Sequence, residues 1–327
     1  MSVTDLRSRA RKERSDRTPP SAAPVDVLST SEVLRRLELD VRRRLDGILA
    51  GEHLAITTGP GSERAGARAY APGDDARRID WNLSARALDP HVRTTEADRE
   101  LETWVIVDRS PSMDFGTALR EKREVALGAL AGFGVLNVRR GNRLGVVVTG
   151  IEDLQRIPAA HSRVAMMAAL ARVFDTPRRP RTGLDDADLT TALGFLHRTQ
   201  RRRGQVVVIS DFLDPSDWAG GLRRLSTRHQ VTCVQISDPR EHELPAVGML
   251  AVVDAETGQQ LHVQTNNAKL RTRYAAAAAE RQATTEAKIR RAGAEHLHLS
   301  TDRDWLLDIA HHISRRRRRH VVRTAVR

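Results

Sequence analysis

Trp104-Val105-Ile106-Val107-Asp108-Arg109-Ser110-Pro111-Ser112 carries the fold assignment of this chain. Its four apolar residues run without alternation, as in a strand buried on both faces of a parallel sheet. Polar residues and a proline follow at once, so the strand ends at Asp108 and a loop begins. Moving outward, the same habit recurs at Arg143 to Thr149 (RLGVVVT), Gln205 to Ser210 (QVVVIS) and Gln230 to Ile236 (QVTCVQI). Between these runs the apolar spacing turns helical. One helix is predicted from Leu119 to Arg139, with Leu119, Ala126, Leu130 and Phe133 on one face. Others are predicted at Ser162 to Val173, Leu189 to Arg202 and Asp217 to Arg228. Such alternation specifies an α/β fold, a Rossmann-like doubly wound, mostly parallel sheet with helices on both faces.

The flanks divide the chain further. Residues 1–25 are charge-rich and then proline-rich, and are expected to be a disordered tail. Ser29-Thr30-Ser31-Glu32 opens a helix with Val33, Leu34, Leu37, Val41 and Leu45 at helical spacing. Residues 26–102 are therefore expected to form an N-terminal helix and loop extension packing on a core at 103–300. Val247 to Val253 and Gln260 to Thr265 read as an inserted β-hairpin around Asp254-Ala255-Glu256-Thr257-Gly258. Asn266 to Arg291 reads as a long helix ended by Gly293, and Glu295 to Leu299 as a last strand. Thr301-Asp302-Arg303-Asp304 reads as a capping box opening residues 301–327, a C-terminal helix and Arg-rich tail.

Composition narrows the function. The 327 residues include 54 Lys and Arg against 42 Asp and Glu, a formal charge of +12, which invites a nucleic-acid reading. Aromatic residues make up only 3%, too few for base-stacking platforms. Much of the excess lies in runs such as Arg42 to Arg44, Arg201 to Arg203 and Arg315 to Arg319. The single cysteine, Cys233, excludes an intrachain disulfide and a cysteine metal cluster. No apolar run is long enough to span a bilayer and no apolar signal core opens the chain, so a cytoplasmic protein is expected. Gly59-Pro60-Gly61-Ser62 lacks the lysine of a P-loop. No third ligand accompanies His296 and His298, which are expected to be structural.

Chemistry gathers where strands end. In open α/β sheets ligands sit beyond the carboxyl ends of the strands. Asp108 and Asp211 emerge on that edge, with Ser110 and Ser112 in the loop after Asp108. Carboxylates and hydroxyls are hard oxygen donors, suited to Mg2+, Mn2+ or Ca2+. Neutral hydroxyl ligands leave such an ion much of its charge, so a partner's Asp or Glu can complete it. On these grounds the site is adhesive rather than hydrolytic.

Asp108-x-Ser110-x-Ser112 after a buried strand resembles the metal-ion-dependent adhesion site of von Willebrand factor A domains, and Asp211 matches that family's later aspartate. The stretch from Arg68 to Arg86 is narrower and resembles the signature segment of DUF58 proteins, whose core is von Willebrand A-like. Arg68, Tyr70, Gly73, Asp74, Asp75, Arg77, Asp80, Trp81, Ser84 and Arg86 carry that resemblance. Asp238-Pro239-Arg240-Glu241 also resembles the family's later segments. One departure stands out: Ala187 occupies the position where the resemblance implies a metal-ligating Thr, with Thr190 or Asp188 as substitutes. The signature segment is read either as a partner-docking surface or as an internal clamp built on an Asp–Arg network. The resemblance implies a non-enzymatic, metal-dependent interaction module. It would act as an adaptor or co-chaperone for a client with a MoxR-type AAA+ ATPase. The alternative is a nucleic-acid or phosphate-binding protein using its Arg clusters.

Overall fold

The computed structural model describes residues 29–56, 67–71, 74–87, 89–93, 102–139, 141–178, 188–253 and 259–325. The expected tail at 1–25, and the positions Gly73, Ala187 and Asp254 to Gly258, lie outside them. Helix α1 (Thr30–Ile56) comes first. A small unit follows, in which β1 (Ala67–Ala69) pairs antiparallel with β2 (His91–Arg93) and α2 (Trp81–Ala87) lies between them in sequence. The main body runs β3 (Glu102–Asp108), α3 (Lys122–Arg139), β4 (Arg143–Thr149), β5 (Gln155–Ala160), α4 (Arg163–Phe174) and α5 (Leu189–Thr199). It continues with β6 (Gln205–Ser210), α6 (Trp218–Ser226), β7 (Gln230–Ser237) and the short α7 (Pro239–His242). Strands β8 (Met249–Val253) and β9 (Gln260–Gln264) form an antiparallel hairpin. Helix α8 (Ala268–Arg291), strand β10 (Glu295–Ser300) and helix α9 (Trp305–Ala325) complete it.

The central sheet has the order β5-β4-β3-β6-β7-β10. All its pairings are parallel except β4–β5. Counted along the chain, its strands lie in the doubly wound order 3-2-1-4-5-6, so the winding direction reverses between β3 and β6. The strand residues alternate between two helical layers. Val105, Val107, Val207 and Ile209 face α1, α3, α4 and α9. Trp104, Ile106, Val206 and Val208 face α5, α6 and α8. Fully burying such a side chain stabilises by about 1.5–3 kcal/mol, so packing on both faces fixes where the strand ends lie. At one close approach, a Cβ on Gly128 in α3 would come within 2.6 Å of the Trp305 ring in α9.

Three features depart from the sequence reading. Edge strand β5 carries Pro158 and an amphipathic pattern, which the apolar-run criterion passes over. The last helix is capped by Asp304, whose Oδ1 accepts from the backbone N–H groups of Leu306 and Leu307. Thr301 is not its cap: its hydroxyl donates to Asp238. The backbone of α9 stays helical through the Arg315–Arg319 run.

Candidate functional site

Asp108 and Ser210 end neighbouring strands at the reversal point, and Asp211 is the next residue after β6. The loop after β3 is folded by its own polar groups. Asp108 Oδ1 accepts from the Ser110 N–H at 2.8 Å, and Asp108 Oδ2 accepts from the Ser210 hydroxyl at 2.6 Å. The Arg109 N–H donates to the Thr149 carbonyl at 2.9 Å, tying the loop to the end of β4. Pro111 starts a 3-10 turn, Pro111–Asp114, and buried Met113 anchors it in the core. The hydroxyls of Ser110 and Ser112 stand 3.1 Å apart. Gly150, at φ +75°, lies against this loop; a Cβ there would sit 2.3 Å from Ser110 N and 2.7 Å from Asp108 Oδ1. Phe212, beside Asp211, holds φ +59°, a left-handed conformation costly for a bulky side chain and concentrated at functional sites.

Burial first, and then the charge of Asp211, push the Asp108 carboxyl up to about 6. Asp211 itself is engaged by a residue the sequence reading missed. The Lys122 ammonium, fully buried, lies 2.7 Å from Asp211 Oδ2 and 2.5 Å from Glu241 Oε1. Burial pulls the Lys122 pKa down, but the two carboxylates outweigh it and hold it above the ordinary lysine value. A lysine in the first turn of a helix reads from sequence as a surface residue. The available signal was rarity: only four of the 54 positive side chains are lysines.

The network continues from Glu241. Its Oε2 accepts from the Asp238 N–H at 2.9 Å, closing a capping box on α7. The buried Asp238 carboxylate accepts from the Thr117 N–H and hydroxyl, the Arg240 N–H and the Thr301 hydroxyl. Burial raises its pKa, and these hydrogen bonds outweigh that and lower it. One carboxylate thus clasps the loops that follow β3, β7 and β10. Around this edge stand exposed apolar side chains on the loops after β3 and β6, namely Phe115, Leu119 and Leu213.

The other expected site residues fall elsewhere. The Thr190 hydroxyl donates to Ser216 at 2.8 Å. Asp188 caps α5 through the Thr191 N–H. In the signature segment, Asp74, Asp75 and Asp80 accept backbone N–H groups of Ala71, Arg77 and Leu83. The Ser84 hydroxyl donates to the Asp80 carbonyl and accepts from the His91 N–H. Asp75, Arg77 and Arg86 are exposed, Trp81 is 71% exposed, and Asp74 and Asp80 are half-buried. Tyr70 is also exposed at its side chain, and its backbone N–H bonds the Pro90 carbonyl at 2.7 Å. His296 and His298 are structural, paired with Gln235 and Ser237.

Chemically, the donor set fits a hard divalent cation in part. Asp108, Ser110 and Ser112 present two adjacent hydroxyls and a buried carboxylate whose pKa is raised first by burial and then by Asp211. Asp211 is held by Lys122 and Thr190 by Ser216. Among the described residues no group of three or more His, Cys, Asp and Glu side chains is placed to hold an ion.

The family model described as "Protein of unknown function DUF58" matches residues 66–284. The chain belongs to the DUF58 family. Among curated relatives, Rv1480 of Mycobacterium tuberculosis is 45% identical over 302 residues, covering 92% of this chain and 94% of that protein. Mb1516 of Mycobacterium bovis matches equally, at 45% over 302 residues. Among solved structures, an aerotolerance-related membrane protein from Bacteroides fragilis aligns with a TM-score of 0.45 at 15% identity, over 66% of this chain and 97% of that one. The SpRpn10 VWA domain aligns with a TM-score of 0.35 at 13% identity, over 64% of this chain and 92% of that one. This DUF58 chain has a doubly wound α/β fold, with the Asp-x-Ser-x-Ser loop on its switch-point edge. Among its described residues no helix is long and apolar enough to cross a membrane.

Proposed function

We propose that this DUF58 chain is a non-enzymatic protein-interaction module whose contact surface is the edge formed by the ends of β3 and β6. One observation carries this reading. A buried carboxylate and two hydroxyls converge at the reversal point of the sheet, ringed by the exposed Phe115, Leu119 and Leu213. Asp108, Ser110 and Ser112 would hold Mg2+, Mn2+ or Ca2+, supplying a positive charge for a partner's Asp or Glu. Asp211, held by Lys122, shapes the site from the neighbouring strand. The DUF58 resemblance implies a MoxR-type AAA+ ATPase as the partner, with this chain presenting a client to it.

Two measurements test the proposal. Calorimetry with Mg2+ or Mn2+ should give binding that Asp108→Ala abolishes. A pull-down of the AAA+ partner should require the divalent ion and fail in EDTA. Unchanged ion affinity in Asp108→Ala would refute the metal assignment, and a complex indifferent to both EDTA and Asp108→Ala would refute the adhesion mechanism.

A further inference from the structure

The residue between Asp108 and Ser110 serves a different surface. Arg109 sends its side chain into a cleft of about 630 Å³ lined by α1, α3 and α4. It is only 8% exposed. Its Nη2 donates to the Thr176 carbonyl at 3.0 Å, and Arg123 Nη2 reaches the same oxygen at 3.4 Å. Two guanidinium groups therefore crowd one carbonyl, and Arg178 lies close enough to act on Arg109 electrostatically. Burial, with Arg123 adding to it, pulls Arg109 down to about 10.

Its neighbours are ion-paired, whereas Arg109 feels the carboxylates of Asp114 and Asp108 only beyond ion-pair distance. Arg123 pairs with Asp114 at 2.9 Å, and Arg178 grips Glu121 with both terminal nitrogens. Among the described residues neither Arg109 nor Arg120, which also lines the cleft, has a carboxylate within ion-pair distance. The Arg109 Nε is buried with no acceptor. Buried donors of native proteins are satisfied as a rule, and an orphan marks a missing partner. Phe174 and Trp305 supply part of an apolar wall, and the carboxylates of Asp40, Glu121 and Glu124 also line the cleft.

We propose that this cleft binds a small phosphate monoester, its phosphate held between Arg109 and Arg120 and its organic part against Phe174 and Trp305. A guanidinium fork matches phosphate oxygens, and two unpaired guanidinium groups match the near-dianionic charge of a monoester at neutral pH. The cleft is separate from the edge where Asp108 presents its carboxylate, so the inference stands apart from the metal reading.

Calorimetry on the full chain at fixed ionic strength tests it, with phenyl phosphate, inorganic phosphate and phenol as probes. Phenyl phosphate should bind saturably, more tightly than inorganic phosphate, and phenol should not bind. Arg109→Gln and Arg120→Gln should each weaken phenyl phosphate by about tenfold or more. Arg120 is exposed, so its variant keeps the test sound if Arg109→Gln fails to fold. No saturable binding, or equal affinity in wild type and Arg120→Gln, would overturn the site. Equal affinity for phenyl phosphate and inorganic phosphate would overturn the role of the apolar wall. Binding of a phosphorylated peptide but not of phenyl phosphate would overturn the small-molecule assignment.

Discussion

Lys122→Met tests the most consequential contact in the molecule. Methionine keeps most of the lysine's length and apolar stem but removes the ammonium that bridges Asp211 at 2.7 Å and Glu241 at 2.5 Å. Glu241 is 22% exposed at its side chain and recovers some hydration. Asp211 has 3% of its side chain exposed and lies close enough to Asp108 to raise that group's pKa, so it is left as an uncompensated buried charge. Removing one member of a buried pair costs about 3–5 kcal/mol. At roughly 2–4 °C per kcal/mol for a domain of this size, the melting temperature should fall by about 10 °C. Urea and thermal melts of the full chain read this directly. Lys122→Met/Asp211→Asn should recover a large part of the loss, because the second change removes the charge the first exposes. Freed from its ammonium, Asp211 should also raise Mg2+ affinity in the single variant. A Lys122→Met protein within about 1 kcal/mol of wild type, or a double-mutant cycle with no coupling, would refute this reasoning.

Three further outcomes are expected. Gly150→Ala should destabilise the chain and distort the Asp108 loop, since the new Cβ meets Ser110 N at 2.3 Å on a backbone held at φ +75°; a melt matching wild type would count against it. Burial first, then neighbouring His296 and His242, pulls His298 down from 6.5 to about 4. Because its folded pKa is depressed, its contribution is full above pH ~6.5 and is lost as pH falls toward ~4, about 3 kcal/mol in all. His298→Gln should flatten the stability profile across that window, as urea midpoints between neutral and acid pH will show. Trp81→Ala should leave the melting temperature unchanged, because the indole is 71% exposed; a large drop would support the clamp reading of the signature segment over the docking one.

The main fold was legible because buried parallel strands leave apolar runs that little else imitates. Val105 to Val107, Val146 to Val148 and Val206 to Ile209 each announce a strand. Strand β5 was hidden because an edge strand with a wet face leaves no continuous apolar run, as in Gln155-Arg156-Ile157-Pro158, and Pro158 argues against a strand. Helix starts slipped for a local reason. Leu119, placed in the helix from its spacing, is 74% exposed in the loop before α3, and α3 opens at Lys122. Thr301 looked like a cap because Asp304 follows three residues later; the cap is Asp304 itself. At the site, spacing alone brought Asp108, Ser110 and Ser112 into one turn. The partners of Asp211 were not legible, because Lys122 and Glu241 lie 89 and 30 residues from it in the chain and only the wound sheet brings them together. Arg109 was hidden for a related reason: within the loop motif it occupies the unspecified position, and its cleft is built by α1, α3 and α4.

The Asp238 clasp has a kinetic consequence. By tying the loops beyond β3, β7 and β10 through Thr117, Arg240 and Thr301, it removes their freedom during folding, before any encounter. A visitor arriving at that end of the sheet meets loops already in place and gives up little entropy to order them. Association should therefore proceed in a single exponential phase, with a rate rising linearly with partner concentration. Severing the clasp with Thr117→Val should introduce a slower, concentration-independent step.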